Sequence, residues 1–480
     1  MGKRLRPRSL SRPARMRKTA VAPLCGKRRR ALCIKRLIVL SGLQTILVAA
    51  PCPAESLPEL LQEAAQHDAK FASADAQFRA AIQKEPEARA ALLPHLGLSQ
   101  SVFRNGIFVP GKSPESYSTL GTSLSLNQAV FKWDDWQSYQ EGKLSAISAG
   151  LGLAAARQDL LLRTTQAYFD ALAAQDQRVL AREHVRTLDE QLAISQRGFN
   201  LGTATIVDLN EAQAGADAAQ SDLVHASAEV LKRYAAIEKI VAHPVTDVDA
   251  FAPDLSAPVI GADGADHWAD TAQRESFDVR QQEIALEITK REVSKVNAGY
   301  LPSVSIVGNI NHGNAAFING QTSFYTGANR ASSGEIGIQI NIPLFDGLQT
   351  SSKKAEALAL QDKARGDLED ARRSAALDAR ESFLALQESV AQIAALRTAQ
   401  LSAETSLKSN QKGFKAGVRI NADVLGAAEK LFTTRRDLAK ARYDAVMQFL
   451  RLRASVARLD ETTLEDLANA SVKHSEAQQK

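Results

Sequence analysis

Cysteine is nearly absent: the 480 residues contain three, Cys25, Cys33 and Cys52. All precede residue 55, so the rest of the chain has no disulfide framework, no thiolate metal site and no thiol nucleophile. Acidic residues are missing from residues 1–36, which hold 14 basic ones, and residues 37–54 carry no charge at all. Beyond residue 54 no apolar run is long enough for a transmembrane helix. The histidines are scattered, with no His/Asp/Glu cluster at ligand spacing, and read as surface or packing residues. No metal or cofactor motif is present, and isolated acids give no support to an enzyme.

What is present divides at residue 54. The formal charge of +5 comes from 59 Lys and Arg against 54 Asp and Glu. Without residues 1–54 the balance is 45 basic to 54 acidic, a net of −9, so a nucleic-acid reading loses its support. The leader has the form of a secretory signal: Lys27-Arg28-Arg29-Arg30 and Lys35-Arg36, then an apolar run from Leu37 to Ala50. Cys52-Pro53-Ala54 offers a small-x-small site for cleavage before Glu55. Met16 is an alternative start, and a single amphipathic anchor an alternative to cleavage. Pro51 stands where lipidation of Cys52 would want a small residue.

Residues 197–208, Arg-Gly-Phe-Asn-Leu-Gly-Thr-Ala-Thr-Ile-Val-Asp, recur in degraded form as residues 412–423, Lys-Gly-Phe-Lys-Ala-Gly-Val-Arg-Ile-Asn-Ala-Asp. Gly198 pairs with Gly413, Phe199 with Phe414, Gly202 with Gly417 and Asp208 with Asp423, each 215 residues apart. Length alone suggests about three domains. A fixed offset says instead that one unit is duplicated. Each copy lies between long Ala-rich helical stretches, and glycine can take the positive φ that ends a helix, so each reads as a hairpin tip.

The first repeat covers 55–242: a helix from Leu57 to about Ala91, strands at 96–104 and 118–127, a long helix at 132–197, the tip, and a helix at 206–241. A Pro/Asp/Gly/Ala-rich linker spans 243–265. The second repeat, 266–469, has a helix from Trp268 to Asn297, strands at 303–311 and 334–342 around a Gly/Asn/Ser loop, a long helix at 347–412, the tip, and a helix at 422–459. Residues 470–480 form a polar tail. A helix over 132–197 would be roughly 100 Å long, far beyond a globular-domain helix, and belongs to a coiled coil or helical barrel.

The strands alternate with period two. Ile336, Ile338, Ile340 and Ile342 oppose Gly337, Gln339 and Asn341, giving one apolar and one polar face. No leftover helices are available to cover the apolar side. Ten-residue strands of this kind fit an outer-membrane barrel; a small soluble sheet capping a helical rod is the alternative. In lipid four strands cannot stand with open edges, so closure needs other copies of the chain, most simply in a ring. Trp133 and Trp136, after the second strand, suit either an interfacial belt or helix packing.

The two tips, Phe345-Asp346-Gly347, Leu301-Pro302, Asp423-Val424-Leu425, the run Leu438-Ala439-Lys440-Ala441-Arg442-Tyr443-Asp444 and Leu464-Glu465-Asp466-Leu467 together resemble the TolC family of outer-membrane channel-tunnels. The resemblance covers about Leu57 to Leu467. It implies a mainly α fold with a transmembrane β-barrel: a homotrimer with a twelve-stranded barrel and a periplasmic α-helical barrel. It further implies partnership with a periplasmic membrane-fusion adaptor and an inner-membrane ABC transporter or efflux pump. The branch it points to is toxin-exporting type I secretion, of cyclolysin or haemolysin type, with multidrug efflux as the alternative and a soluble coiled-coil adaptor as the rival of another class.

By position, the resemblance places Asp208 and Asp423 at the periplasmic mouth, with Arg419 tying neighbouring tips in the closed state. It gives Gly202, Thr203, Gly417 and Val418 to adaptor contact. Two departures stand out: Phe414 replaces the family's gate tyrosine, and Gly426 stands where TolC-type channels carry an acid. Helix capping alone is the other reading of the two aspartates, and turn geometry the other reading of the four contact residues.

Overall fold

The structure, a computed structural model, describes residues 55–249 apart from 109, 112 and 114, residues 264–313, 317–318, 321–322 and 331–464. The signal segment with its three cysteines, most of the linker, Glu465 onward and the polar tail lie outside the described residues.

Two very long helices set the dimensions. Helix α4 spans Trp133–Asn200, 68 residues, and α8 spans Gln349–Lys415, 67 residues. Each is about 100 Å long at 1.5 Å per residue. Their returning partners, α5 (Ile206–Val241) and α9 (Asn421–Ser455), are about half that length. The remaining length of each long helix is covered by shorter helices: α1 (Leu57–His67), α2 (Ala69–Ala81) and α3 (Lys84–Ala90) on α4, and α6 (Ala265–Glu275) and α7 (Phe277–Asn297) on α8, with α7 also lying against α4.

The sequence suggested one helix where α1 to α3 lie and one where α6 and α7 lie, and both are interrupted. Asp68 has an extended backbone and its carboxylate accepts a hydrogen bond from the Phe71 amide at 2.6 Å, ending α1 and starting α2. Ser276, also extended, makes the matching break after α6. Asp68 is buried because Arg163 of α4 reaches it at 3.1 Å while also binding Asp159, which in turn holds Lys70. The first residues of the linker, 243–249, are packed against the helices. Val245 and Val248 are buried, and Glu55 bridges to Val248 in parallel.

Four strands form one antiparallel sheet in the order β1 (His95–Ile107), β2 (Glu115–Phe131), β3 (Ser303–Gly313), β6 (Ala331–Asn341). The strands run several residues beyond the clean alternation, and the loop between β3 and β6 holds two-residue strands β4 (Phe317–Ile318) and β5 (Gln321–Thr322). The register brings apolar residues of neighbouring strands together: Leu98 opposes Leu124, which opposes Ile310, and Ile306 opposes Ile338. No described element covers this face, and Leu98, Ile336 and Ile338 are more than 70% exposed. The opposite face carries Ser99, Ser123, Ser125, Asn309 and Gln339. β1 and β6 each have one neighbour, so both edges are open.

The main core lies where α1, α4, α5, α9 and the 245–248 segment meet, around Phe169, Tyr168, Leu60, Ile237 and Leu450. Of the Leu438–Asp444 run, Tyr443 packs on this core and its hydroxyl donates to Asp176 at 2.8 Å, while Leu438 and Ala441 are buried in a separate cluster with Ile393 of α8. Further along, packing narrows to alanine stripes such as Ala212, Ala216 and Ala219, which let helices approach closely.

One buried histidine lies between these regions. His184 of α4 stacks on Phe432 at 4.5 Å and lies 3.2 Å from the Glu429 carboxylate. Burial lowers its pKa, outweighing the attraction of Glu429 and Asp222. A depressed histidine pKa contributes stability that is complete above the unfolded value of about 6.5 and is lost as pH falls. The melting temperature of the purified protein should therefore drop on acidification from about pH 6.5 to 5, and His184→Gln should flatten that drop; an unchanged pH profile in the variant would rule this contribution out.

Candidate functional site: the paired hairpin tips

The two tips have the same backbone. Gly202 and Gly417 have φ of +73° and +75°, and nothing lies near the Cβ that either would carry. The amides of Thr203 and Val418 reach back to the carbonyls of Gly198 and Gly413 at 2.8 and 3.0 Å, and those of Gly202 and Gly417 to Phe199 and Phe414. This is the six-to-one closure of a helix that ends in a left-handed residue. The first glycine of each motif is needed for a different reason. A Cβ on Gly413 would lie 2.7 Å from Arg419 Cγ, and one on Gly198 would lie 3.0 Å from the Ala204 methyl. The sequence treats all four glycines as turn formers; only the second of each pair has positive φ.

The helix starts after the tips differ. Thr205 caps α5: its hydroxyl accepts from the Asp208 amide at 3.1 Å, and the Asp208 carboxylate accepts from the Thr205 amide and hydroxyl at 2.9 and 2.7 Å. These bonds, the hydroxyl's first, hold the Asp208 pKa below its ordinary value. Asp208 is thus ionised and occupied in a capping box. The equivalent of Thr205 is Ile420, which has no capping side chain. There Asp423 pairs with Arg419 at 3.5 Å, one turn apart and half-exposed.

Phe414 does not project freely. It packs against the small cluster of Leu188, Ala216, Ala219, Leu407, Val424, Ala427 and Ala428 that binds the two hairpins together near the tips. Thr203 and Val418 are exposed, Val418 strongly so.

The residue that joins the tips carried no signal of its own in the sequence. Asn421 is completely buried. Its side-chain amide donates to the Asp208 carbonyl at 3.1 Å, and its oxygen accepts from Gln191 of α4 at 2.6 Å. One side chain at the start of α9 therefore satisfies groups on both arms of the first hairpin. The clue available was a polar residue in the repeat position of apolar Ile206.

This constellation offers no nucleophile–base pair. It offers an exposed, acid-bearing end on two stiff hairpins whose relative position rests on one buried amide and a small apolar cluster. Comparison with known proteins agrees. The model of the outer membrane efflux protein family matches residues 60–243 and 268–458. The outer membrane protein TolC of Vibrio cholerae is 28% identical over 420 residues, 88% of this chain and 94% of its own. The alkaline protease secretion protein AprF of Pseudomonas aeruginosa is 29% identical over 410 residues, 82% of this chain and 84% of its own. Among solved structures, the outer membrane protein VceC of Vibrio cholerae shares the fold with a TM-score of 0.72 at 19% identity, covering 84% of this chain and 96% of that one.

Asn421→Ala should cost about 1–3 kcal/mol, because it leaves Gln191 and the Asp208 carbonyl without their buried partner. Hydrogen exchange should show the loss locally, as faster exchange at the starts of α5 and α9. Protection equal to wild type there would show that the amide does not join the tips.

Proposed function

Because the chain belongs to the outer membrane efflux protein family, we propose that it acts as a passive trimeric channel-tunnel that conducts exported protein to the cell exterior. The observation that carries this reading is the sheet: a continuous exposed apolar face with two open edges. Hydrocarbon does not tolerate open edges, and three copies would close a ring of twelve strands with the polar face inward. The 68- and 67-residue helices then project about 100 Å into the periplasm, with six tips at the inner end.

A type I secretion role, with an ABC transporter and a membrane-fusion adaptor as partners, is favoured by similarity to a protein named for alkaline protease secretion. The cargo in this reading is a secreted protein, a toxin or a protease. The second reading is the outer-membrane part of a multidrug efflux pump, favoured by the family's own description. A soluble coiled-coil adaptor is disfavoured by the uncovered apolar sheet.

At the mouth, three copies each of Asp208 and Asp423 concentrate negative potential and favour cations. Asp208 keeps its full charge in its capping box, whereas the charge of Asp423 is partly offset by Arg419. Arg419 restrains the closed state through Asp423, with Phe414 adding apolar packing where a tyrosine hydroxyl bond is lacking. Gly202, Thr203, Gly417 and Val418 present the exposed turns to the adaptor.

The architecture is tested by fractionation: a heat-resistant trimer in the outer membrane is expected, and recovery in the soluble periplasm would sink the channel reading. In planar bilayers, Asp423→Ala should reduce cation preference, and Arg419→Ala should raise conductance. Unchanged selectivity in the first would dismiss the acid ring, and unchanged conductance in the second would dismiss Arg419 as a restraint.

A further inference from the structure

Far from the tips, three side chains distant in sequence converge where α5 ends. His243 follows Ala242, the left-handed residue that closes α5, and precedes Pro244. Its Nε2 lies 2.6 Å from the Glu63 carboxylate of α1, and its Nδ1 lies 3.7 Å from the Glu55 carboxylate. One ligand atom from each of the three residues falls within 4.8 Å of the others. The scattered histidines of the sequence gave no hint of this, because the partners are 180 residues apart.

Three features distinguish the group from a surface ion pair. First, His243 Nδ1 lies 3.3 Å from the Pro244 carbonyl, an acceptor only, so this nitrogen carries the proton. Nε2 is then left aimed at a carboxylate. A backbone carbonyl that holds one ring nitrogen while the other faces carboxylate oxygen is the usual preparation of a metal-binding histidine. Second, Glu55 Oε2 is sealed from solvent and has no hydrogen-bond partner among the described residues. Third, the surroundings are short of positive charge. Asp247 and Asp249 lie close by, and Asp247 is already bound by Gln175 and Tyr234. His243 is the ion-pair partner that Glu55 and Glu63 share among the described residues.

We propose that Glu55, Glu63 and His243 form a binding site for a divalent cation of the zinc class, which fastens the start of α1 to the exit of α5. One imidazole nitrogen and two carboxylates are a donor set that zinc accepts, with water completing the coordination. The ion replaces a proton on the imidazole: Nε2 gives up its hydrogen to solvent and donates its lone pair to the metal, and the metal neutralises the second carboxylate. The 2.6 Å separation of Nε2 and Glu63 must open to about 3.3 Å, the spacing of two ligand atoms on a tetrahedral zinc, to admit the ion.

The test uses the purified full chain in detergent, stripped with EDTA and carrying a tag without histidine. Zinc chloride is titrated by calorimetry at about pH 7.5, above the ordinary histidine pKa. One saturable zinc per chain is expected. Affinity should fall by about tenfold or more in His243→Ala and in Glu63→Gln, and on acidification as the ligands protonate. Zinc should also raise the melting temperature of the wild type and not that of His243→Ala, with each variant first shown to elute as the wild type does. Absence of saturable uptake, or equal uptake by His243→Ala, would overturn the site. So would a His243→Ala defect in melting temperature that is the same size with and without zinc, since that is the mark of a simple ion pair.

Discussion

Backbone hydrogen bonding at the edges of a four-stranded sheet constrains everything else in this molecule. Strands β1 and β6 each leave one side of their N–H and C=O groups unpaired. In water this would be a modest liability. Beside a largely apolar face shared by the four strands, it favours assembly. The side chains call for hydrocarbon, and hydrocarbon forbids the edges. Neither condition alone would distinguish this sheet from that of a soluble protein. Together they favour the proposed ring, in which other copies would complete the strands and the helices would follow the same symmetry.

The helices meet that demand by sharing length. Neither long helix has a partner of equal length. Each is covered over one half by its returning hairpin arm and over the other by helices that lead into the sheet. The point of exchange is where the large side chains gather, around Phe169, Tyr168 and Tyr443. It is also where the chain departs from regular helix, at Asp68, at Ser276 and at the left-handed Ala242. The breaks are therefore where one layer hands over to the next, and the buried Asp68–Arg163 pair holds one of them in register with α4.

Most of this order was legible because the duplication is. A 215-residue offset in Gly, Phe, Gly and Asp fixed the count of hairpins, and the length of the Pro-free stretches fixed their scale. Period-two alternation located the strands, and Ile336, Ile338 and Ile340 share one exposed face of β6. The failures have a common cause. Asp68 and Ser276 look like ordinary helix-compatible residues, and only a tertiary partner or a local backbone turn makes them breaks. Asn421 looks like one more polar residue in a degraded repeat; its role exists only because Gln191 and the Asp208 carbonyl arrive beside it. His243 and Glu63 are likewise joined only by the fold. Local periodicity reveals elements, but it cannot reveal which polar groups the packing will bury together.

The two ends of the helical part are held by unequal means, and this bears on how such a tunnel would open. At the exchange region, separation of the helices would expose Phe169, Leu60, Ile237 and Leu450 together, each fully or almost fully buried. Near the tips the buried contacts are mostly alanine and a few leucines, with Phe414 only partly covered. Exposing alanine costs far less than exposing phenylalanine or leucine, since the cost scales with apolar area. The polar restraints there are few: the Asn421 amide within the chain and the half-exposed Arg419–Asp423 pair, which is worth little in water. The stiffness of α4 and α8 then converts a small rotation at the exchange region into a large displacement at the tips. The acid-bearing end is therefore where separating the helices would uncover the least apolar surface.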